Sequence, residues 1–356
     1  MKLYLVGGFL GSGKTTAITT ACKTLLKKKI RVAIITNDQG SQLVDTAFVD
    51  SLNILNREIK NGCFCCNYEQ FHSAIRNIIA SAHPEIIFAE AVGSCADLVA
   101  TIVKPILQYE PGIETVLSVF ADGQLLLSSL EGCSSFISEN VRYIYKKQLE
   151  EATILIVNKS DTLSKDEINK IKLMFESGYP GKQVLFQDSR DETSVLQWLE
   201  NLNKKNPHVT SRSLDIDYEK YADGEAALAW LDAFITIHSK GRAVQKCFEF
   251  INDLSDAISY DHLTIGHLKS FLKSGDWQQK ISFTNNERMN KENWNNMIAD
   301  HATVLVNERV ETNPDQLKRI FFQAIKKRED LNCHIEINNL DSFQPGYPKP
   351  TYRFSE

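Results

Sequence analysis

Residues Gly8 to Thr15 spell Gly-Phe-Leu-Gly-Ser-Gly-Lys-Thr, a complete G-x-x-x-x-G-K-[ST] loop. Its glycines let successive backbone N–H groups turn inward toward phosphate oxygens. Lys14 has the reach to meet β- and γ-phosphates, and the Thr15 hydroxyl can ligate Mg²⁺. A second group of residues is as distinctive. In Asn61-Gly62-Cys63-Phe64-Cys65-Cys66, three thiols fall within four positions. In an extended loop Cys63 and Cys65 project to one side, and Cys66 swings in where the chain turns. Thiolates favour soft or borderline ions such as Zn²⁺ and Cu⁺. No second C-x-x-C or C-x-x-H accompanies them, so a closed four-ligand zinc site is short of one donor. Three local ligands leave a position open to water, another residue or a partner, an arrangement suited to an ion in transit. The competing reading is three small buried thiols, which the clustering disfavours.

Asn158-Lys159-Ser160-Asp161 follows an apolar strand. There the Asp161 carboxylate can accept hydrogen bonds from guanine N1 and N2, where adenine offers no such donor pair. Asn158 can tie its loop to the phosphate loop, and the Lys159 stem can lie over the base. This favours GTP over ATP. Glu90 closes the run Ile86-Ile-Phe-Ala and is followed by Ala91-Val92-Gly93. A carboxylate at the end of a buried strand beside the phosphate loop suits Mg²⁺ or its water shell, and the Gly93 backbone can approach a γ-phosphate. Asp38, in Asn37-Asp38-Gln39-Gly40, is either a second metal or water ligand in a switch segment or an ordinary turn aspartate. Lys14, Asp38 and Glu90 are therefore the residues assigned to hydrolysis. Cys95 follows the Glu90 strand and is either a thiol near the site or, the favoured reading, one packing against the sheet. His72 offers a fourth metal ligand or a surface histidine. His262, His267 and Lys269 read as strand-face residues, and Trp230, Trp277 and Trp294 as core or interface residues. Cys22, Cys133, Cys247 and Cys333 stand alone.

The elements that must position these groups alternate. Apolar strands at 2–6, 31–36, 85–90, 114–120, 153–157 and 183–186 are separated by helical patterns at 68–82, 96–107, 139–151, 165–176 and 192–202. This order predicts an α/β fold, a mostly parallel sheet covered by helices on both faces. The polar stretch 203–217 reads as a linker. Beyond it, strand candidates at 227–238, 265–272, 278–283, 303–310 and 333–337 and helices at 243–257 and 314–327 predict a smaller C-terminal α+β domain with an antiparallel sheet. Asn313 is the N-cap of the last helix. The expected division is 1–205, a linker over 206–222, and 223–356. A chain of 356 residues can build both cores. A net charge of −5 gives no footprint for nucleic acid or an anionic membrane, and no apolar run has transmembrane length. Eight cysteines in a chain this long argue for reduced thiols and a cytoplasmic setting.

The string Gly7 to Thr16, the C-x-C-C loop, the E-x-x-G at Glu90 and the N-K-S-D at Asn158 occur in that order. Together they resemble the CobW/HypB/UreG family of P-loop GTPases, its CobW-like branch in particular, over roughly residues 1 to 205. Members of that family are metal-centre maturation factors that use GTP binding and slow hydrolysis to control delivery of zinc, cobalt or nickel, or to support corrinoid enzymes. The resemblance implies a P-loop NTPase-type fold. It implies that Gly8, Gly11, Ser12, Gly13, Lys14, Thr15 and Thr16 hold phosphates and Mg²⁺, with Gly93 beside them. Glu90 would take the metal-water role, Asn158, Lys159 and Asp161 the guanine, and Cys63, Cys65 and Cys66 the transferred ion. Asp38 stands where the family often has glutamate, and Asn61 where it usually has a second glycine. No histidine-rich tail is present. The expectation is a low-turnover GTPase that couples nucleotide state to a thiolate site for Zn²⁺ or Co²⁺ and serves a client metalloprotein or corrinoid-linked protein, with a homodimer left open. Other readings are a regulatory GTPase gating a corrinoid or methyltransferase partner with structural cysteines, a P-loop small-molecule kinase, and a passive metal-binding module.

Overall fold

The computed structural model describes residues 1–40, 43–60, 62–132, 138–204, 212–284 and 297–355. Asn61, Cys133 and Trp294 lie outside the described residues. The chain divides into two units, one made of Met1–Gln39, Val49–Ala222 and Tyr347–Glu356, the other of Gly40–Phe48 and Asp223–Gly346.

The first unit is built on β1 (Lys2–Gly8), β2 (Val32–Asn37), β3 (Asn56–Ile59), β4 (Ile86–Glu90), β5 (Glu114–Asp122), β6 (Ile154–Asn158) and β7 (Gln183–Gln187). They form one sheet in the order β3-β2-β4-β1-β5-β6-β7, and every pairing is parallel. The connecting helices are α1 (Lys14–Lys27), α2 (Val44–Ser51), α3 (Tyr68–Ala82), α4 (Lys104–Tyr109), α5 (Gly123–Leu130), α6 (Glu139–Glu151), α7 (Lys165–Gly178) and α8 (Glu192–Lys204), followed by α9 (Tyr218–Ala226). Tyr4 and Val6 share a core with Ala17 and Ile18 of α1 and Trp198 and Leu199 of α8. Leu3 and Leu5 point the other way and are just as buried, so the sheet is covered on both faces, as its unbroken apolar strands require. The Trp198 indole packs on Phe88 and Phe120 and donates to Ser118 Oγ at 3.1 Å. Helix starts follow local capping: Ser164 and Glu167 form a capping box on α7, and Asp122 accepts from Gln124 and Leu125 at the start of α5.

Two local readings need correction. The helix expected over 96–107 opens as a π-turn at Val99–Val103 before α4. Pro105 cannot donate a backbone bond and crowds the preceding turn, which a widened turn accommodates. Residues 218–226, part of which the linker reading covered, form α9.

The second unit is an antiparallel sheet of β8 (Leu228–His238), β9 (Ile265–Ser274), β10 (Trp277–Phe283), β11 (His301–Glu311) and β12 (His334–Phe343), ordered β10-β9-β11-β8-β12. Helices α10 (Ala243–Tyr260) and α11 (Pro314–Arg328) bury Phe248, Ile251, Leu317 and Phe321 against one face. Asn313 caps α11 by accepting from Gln316 N–H. Residues 43–48 belong to this unit: Val44 N–H donates to Asn307 Oδ1 at 2.7 Å, and Asp45 sits between the Nζ atoms of Lys269 and Lys280 at 2.6 and 2.7 Å. Burial opposes charge on Asp45, but the two ammonium groups hold its carboxyl well below the usual range. Among the described residues no helix is long and apolar enough to cross a membrane.

Glu151, at the end of α6, is buried and accepts from Val99 N–H at 2.6 Å. Burial pushes its pKa up from 4.5 to about 8. The folded chain therefore keeps a proton that the unfolded chain releases, and stability falls as pH rises from 4.5 to 8. A rise of this size costs on the order of 5 kcal/mol above the window. Glu151→Gln keeps an acceptor for Val99 without the charge. Its melting temperature should exceed that of the unmodified chain by a margin that grows between about pH 5 and about pH 8. Thermal unfolding across that range checks this, and a constant margin would contradict it.

Candidate functional site

Parallel pairing gathers the carboxyl ends of β1, β2, β4 and β6 at one edge of the sheet, where α/β folds bind ligands. The loop after β1 bends at Gly8 (φ 123°), Gly11 (φ 70°) and Gly13 (φ 87°). A Cβ on Gly8 would meet the Phe120 carbonyl oxygen at 2.1 Å, and one on Gly13 would meet Asn158 Nδ2 at 2.2 Å. α1 then starts at Lys14 with no side chain capping it, so its first N–H groups are donors for an anion. Lys14 Nζ curls back to donate to the carbonyls of Gly8 and Phe9 at 2.8 and 3.1 Å. Ser12 Oγ donates to Phe9 O at 2.8 Å, and Thr16 follows in the first helical turn. Thr15 Oγ1 donates to Glu90 Oε1 at 2.8 Å, both groups buried. A hydroxyl and a carboxylate converging at this edge are the hard-oxygen donors that Mg²⁺ takes. Gly93 lies against the same loop, since a Cβ there would meet Leu10 Cδ2 at 2.5 Å. Asp38, half-buried after β2, accepts from Gln39 N–H at 2.7 Å.

The residues expected to read the base lie after β6. Asn158 Nδ2 donates to Ser12 O at 2.7 Å, and its Oδ1 accepts from the Ser189 N–H at 3.1 Å and from Ser189 Oγ at 2.7 Å. One amide thus joins the phosphate loop, β6 and the loop after β7. Lys159 takes left-handed backbone angles, and its ammonium pairs with Asp122 at 2.9 Å. Asp161 Oδ2 accepts from the Arg190 guanidinium at 2.6 Å, an N–H donor of the kind a guanine edge presents.

The three thiols follow the edge strand β3. Cys63 Sγ lies 2.8 Å from Cys65 Sγ and 3.1 Å from Cys66 Sγ, and Cys65 lies 4.0 Å from Cys66. All three sulfurs fall within 4.8 Å of one another. Zn–S bonds of about 2.3 Å in a tetrahedron set sulfurs about 3.8 Å apart, so the cluster needs only a slight opening to hold such an ion. Cys63 and Cys65 are buried and Cys66 is half-exposed. Hydrogen bonds from Cys65 and Cys66, with a further contribution from nearby Cys95, draw the Cys63 thiol well below the usual range, making it the first thiolate. Its thiolate in turn raises Cys65, and raises Cys66 to about 11. The loop is held from β2: Asn37 Nδ2 donates to the carbonyls of Ile59 and Gly62 at 3.1 and 2.7 Å, and Asn37 Oδ1 accepts from Phe64 N–H at 2.8 Å. Phe64 stacks on Phe71 of α3 with centroids 4.2 Å apart.

The model of the CobW/HypB/UreG nucleotide-binding domain matches residues 2–186. The chain belongs to that family of P-loop GTPases. It is 27% identical over 194 residues to the zinc chaperone YeiR of Escherichia coli K12, covering 52% of this chain and 55% of that protein. It is 22% identical over 244 residues to the zinc chaperone CobW of Pseudomonas aeruginosa PAO1, covering 62% and 64%. The chain thus spans less than two thirds of the length of these curated relatives. Among solved structures, HypB of Helicobacter pylori in complex with nickel aligns with a TM-score of 0.43 and 15% identity, over 60% of this chain and 91% of that one.

Within this CobW/HypB/UreG unit, several contributors were not legible in the sequence. Asn37 ends β2 and clamps the cysteine loop. Ser189 and Arg190 meet Asn158 and Asp161, and Asp122 meets Lys159. Cys95 packs buried beside Cys63 and Cys65, outside the trio of sulfurs that lie within 4.8 Å of one another. The chain terminus also belongs here. Thr351 N–H donates to Cys65 O at 2.8 Å, Thr351 Oγ1 donates to Cys66 O at 3.2 Å, and Arg353 pairs with buried Asp97 at 2.7 Å. His72 is drawn to Glu110 at 2.7 Å rather than to the sulfurs. His262 lies in the turn before β9, not on a strand face, while His267 and Lys269 lie on β9 itself.

Asn37→Ala removes two donors and one acceptor from the cysteine loop. We expect it to cost about 2–3 kcal/mol locally. Hydrogen exchange at residues 59–66 should speed up by about tenfold or more, while the β5–β6 core keeps its protection. Unchanged exchange in the loop would show that other contacts hold it.

Proposed function

We propose that this chain is a GTP-binding metallochaperone of low intrinsic turnover, working in the cytoplasm, in which the state of the nucleotide governs a Cys63-Cys65-Cys66 site for Zn²⁺. Co²⁺ is the alternative cargo. The observation that carries the reading is the Asn37 clamp. A thiolate loop is fastened to the end of the strand that runs directly into Asp38, so a change at the nucleotide edge has a short hydrogen-bonded path to the sulfurs. The zinc chaperones named above support zinc as cargo.

In this reading the α1 N-terminus and the glycine-bent loop receive the phosphates, with Lys14 leaving its loop carbonyls for the β- and γ-oxygens. Thr15 and Glu90 would hold Mg²⁺, which supplies charge neutralisation on the phosphates when bound. Asp38 and the Gly93 backbone flank the γ-phosphoryl position and order when it is present. Asp161 exchanges the Arg190 guanidinium for the guanine edge, and Lys159 keeps its stem over the base. Hydrolysis is slow because positioning, rather than a supplied transition-state cation, carries it. Loss of the γ-phosphate frees the Asp38 segment, and Asn37 passes that freedom to the cysteine loop. A client metalloprotein then takes the ion through half-exposed Cys66.

Asp161→Asn should move nucleotide preference from guanine toward xanthine by about 10–100-fold, the worth of a hydrogen bond to a charged group. Fluorescent-nucleotide competition reads this, and an unmoved preference would place base recognition elsewhere. Replacing Cys63, Cys65 and Cys66 together by serine should abolish stoichiometric Zn²⁺ binding while GTP affinity stays within about threefold. Calorimetry with GDP and with a non-hydrolysable GTP analogue tests the coupling: Zn²⁺ affinity should differ by about fivefold or more between them, and equal affinities would sink the proposed control.

A further inference from the structure

The Cys95 thiol is buried and lies beside those of Cys63 and Cys65, just outside the trio of sulfurs that fall within 4.8 Å of one another. It arrives from a different strand. Cys63 follows β3, Cys95 follows β4, and β2 lies between those strands in the sheet, so the two loops meet around the end of β2, where Asn37 sits. Cys95 is two residues beyond Gly93, which presses on Leu10 of the phosphate loop. The turn between them is fixed, with Cys95 N–H donating to Val92 O at 2.9 Å and Gln148 Nε2 donating to the carbonyls of Gly93 and Cys95 at 3.0 and 2.8 Å. A shift at Gly93 is therefore a shift at Cys95.

We propose that Cys95 is the fourth sulfur ligand of the cargo ion, and that the Gly93–Cys95 turn supplies or withdraws it with the state of the nucleotide. The proposal rests on the metallochaperone reading above and adds to it the missing donor. Four thiolates make a closed tetrahedral site, whereas three leave a position for exchange. With Cys95 engaged the ion is held; with Cys95 withdrawn the site opens and half-exposed Cys66 begins the hand-over. Engagement forms one sulfur–metal bond, releases the thiol proton to solvent and frees one water from the ion.

The test uses the full chain, stripped of metal, with Co²⁺ as probe and either Mg²⁺–GDP or Mg²⁺ with a non-hydrolysable GTP analogue. In one nucleotide state the unmodified chain should show thiolate-to-cobalt charge transfer for four sulfurs. Cys95→Ser should lower that intensity by about one quarter per bound ion, weaken Co²⁺ binding by about tenfold, and erase the difference between nucleotides. Cys95→Val, which preserves apolar packing, should behave alike and carries the test where the serine variant does not fold. Nucleotide affinity measured on the same samples confirms an intact unit. Charge transfer and affinity equal to the unmodified chain in both nucleotide states would overturn the proposal. The Cys63, Cys65 and Cys66 triple serine variant separates the two claims. Tight Co²⁺ binding there would refute the metallochaperone reading itself. Loss of binding there, with unmodified behaviour in both Cys95 variants, would refute only the role of Cys95.

Discussion

At the carboxyl edge of a parallel sheet the ladder of backbone bonds stops, and each loop that leaves it carries polar groups that need partners in a buried place. This chain meets that constraint with two asparagines. Asn158 satisfies Ser12 and Ser189, and Asn37 satisfies Ile59, Gly62 and Phe64. A carboxamide is suited to the task because it offers a donor and an acceptor on one rigid plane. Through these two side chains the phosphate loop, the base-reading loops and the cysteine loop are not independent appendages. Each is fixed to the strand ends.

The course of the chain adds a second level. Residues 43–48, just beyond Asp38, pack within the antiparallel unit, where Asp45 is clasped by Lys269 and Lys280 and Phe48 meets Phe271. The last residues, 347–356, return to the parallel unit and bond to the carbonyls of Cys65 and Cys66. The Asp45 cluster is half-buried, with two cations on one anion, so removing either lysine leaves the carboxylate less well compensated.

How much of this was legible in the sequence depended on the range of the interaction. The phosphate loop, the N-K-x-D loop and the cysteine cluster are local strings, and local strings specify local geometry. The alternation of apolar strands and helices gave the parallel sheet for the same reason. Asn37 was named only as part of a strand end, because one asparagine in a turn has many uses. Cys95 was read as packing because its meeting with Cys63 depends on the β3-β2-β4 strand order, which no periodicity encodes. Pro345 to Pro350 announced irregular backbone but not where it docks. The π-turn at Val99–Val103 shows the converse: Pro105 was visible, yet its effect depended on Ala100, whose carbonyl accepts from Phe354 N–H at 3.0 Å.

A metal carrier has to satisfy two opposed demands, since a site tight enough to win an ion is slow to surrender it. The gradient of burial across the sulfurs offers a resolution. Cys63, Cys65 and Cys95 are shielded, and Cys66 faces solvent in part. In the proposed cycle an incoming ligand replaces Cys66 first while the buried sulfurs keep the ion from escaping to water. The terminal segment crosses at this same point, where Thr351 bonds to the backbone of Cys65 and Cys66 while Arg353 and Phe354 reach buried Asp97 and Ala100. Backbone bonds from an irregular segment are among the cheaper contacts to open locally. Access to Cys66 can then be controlled without unfolding the sheet, and the opening that frees Cys66 need not disturb the Asn37 bonds that hold Cys63 in place.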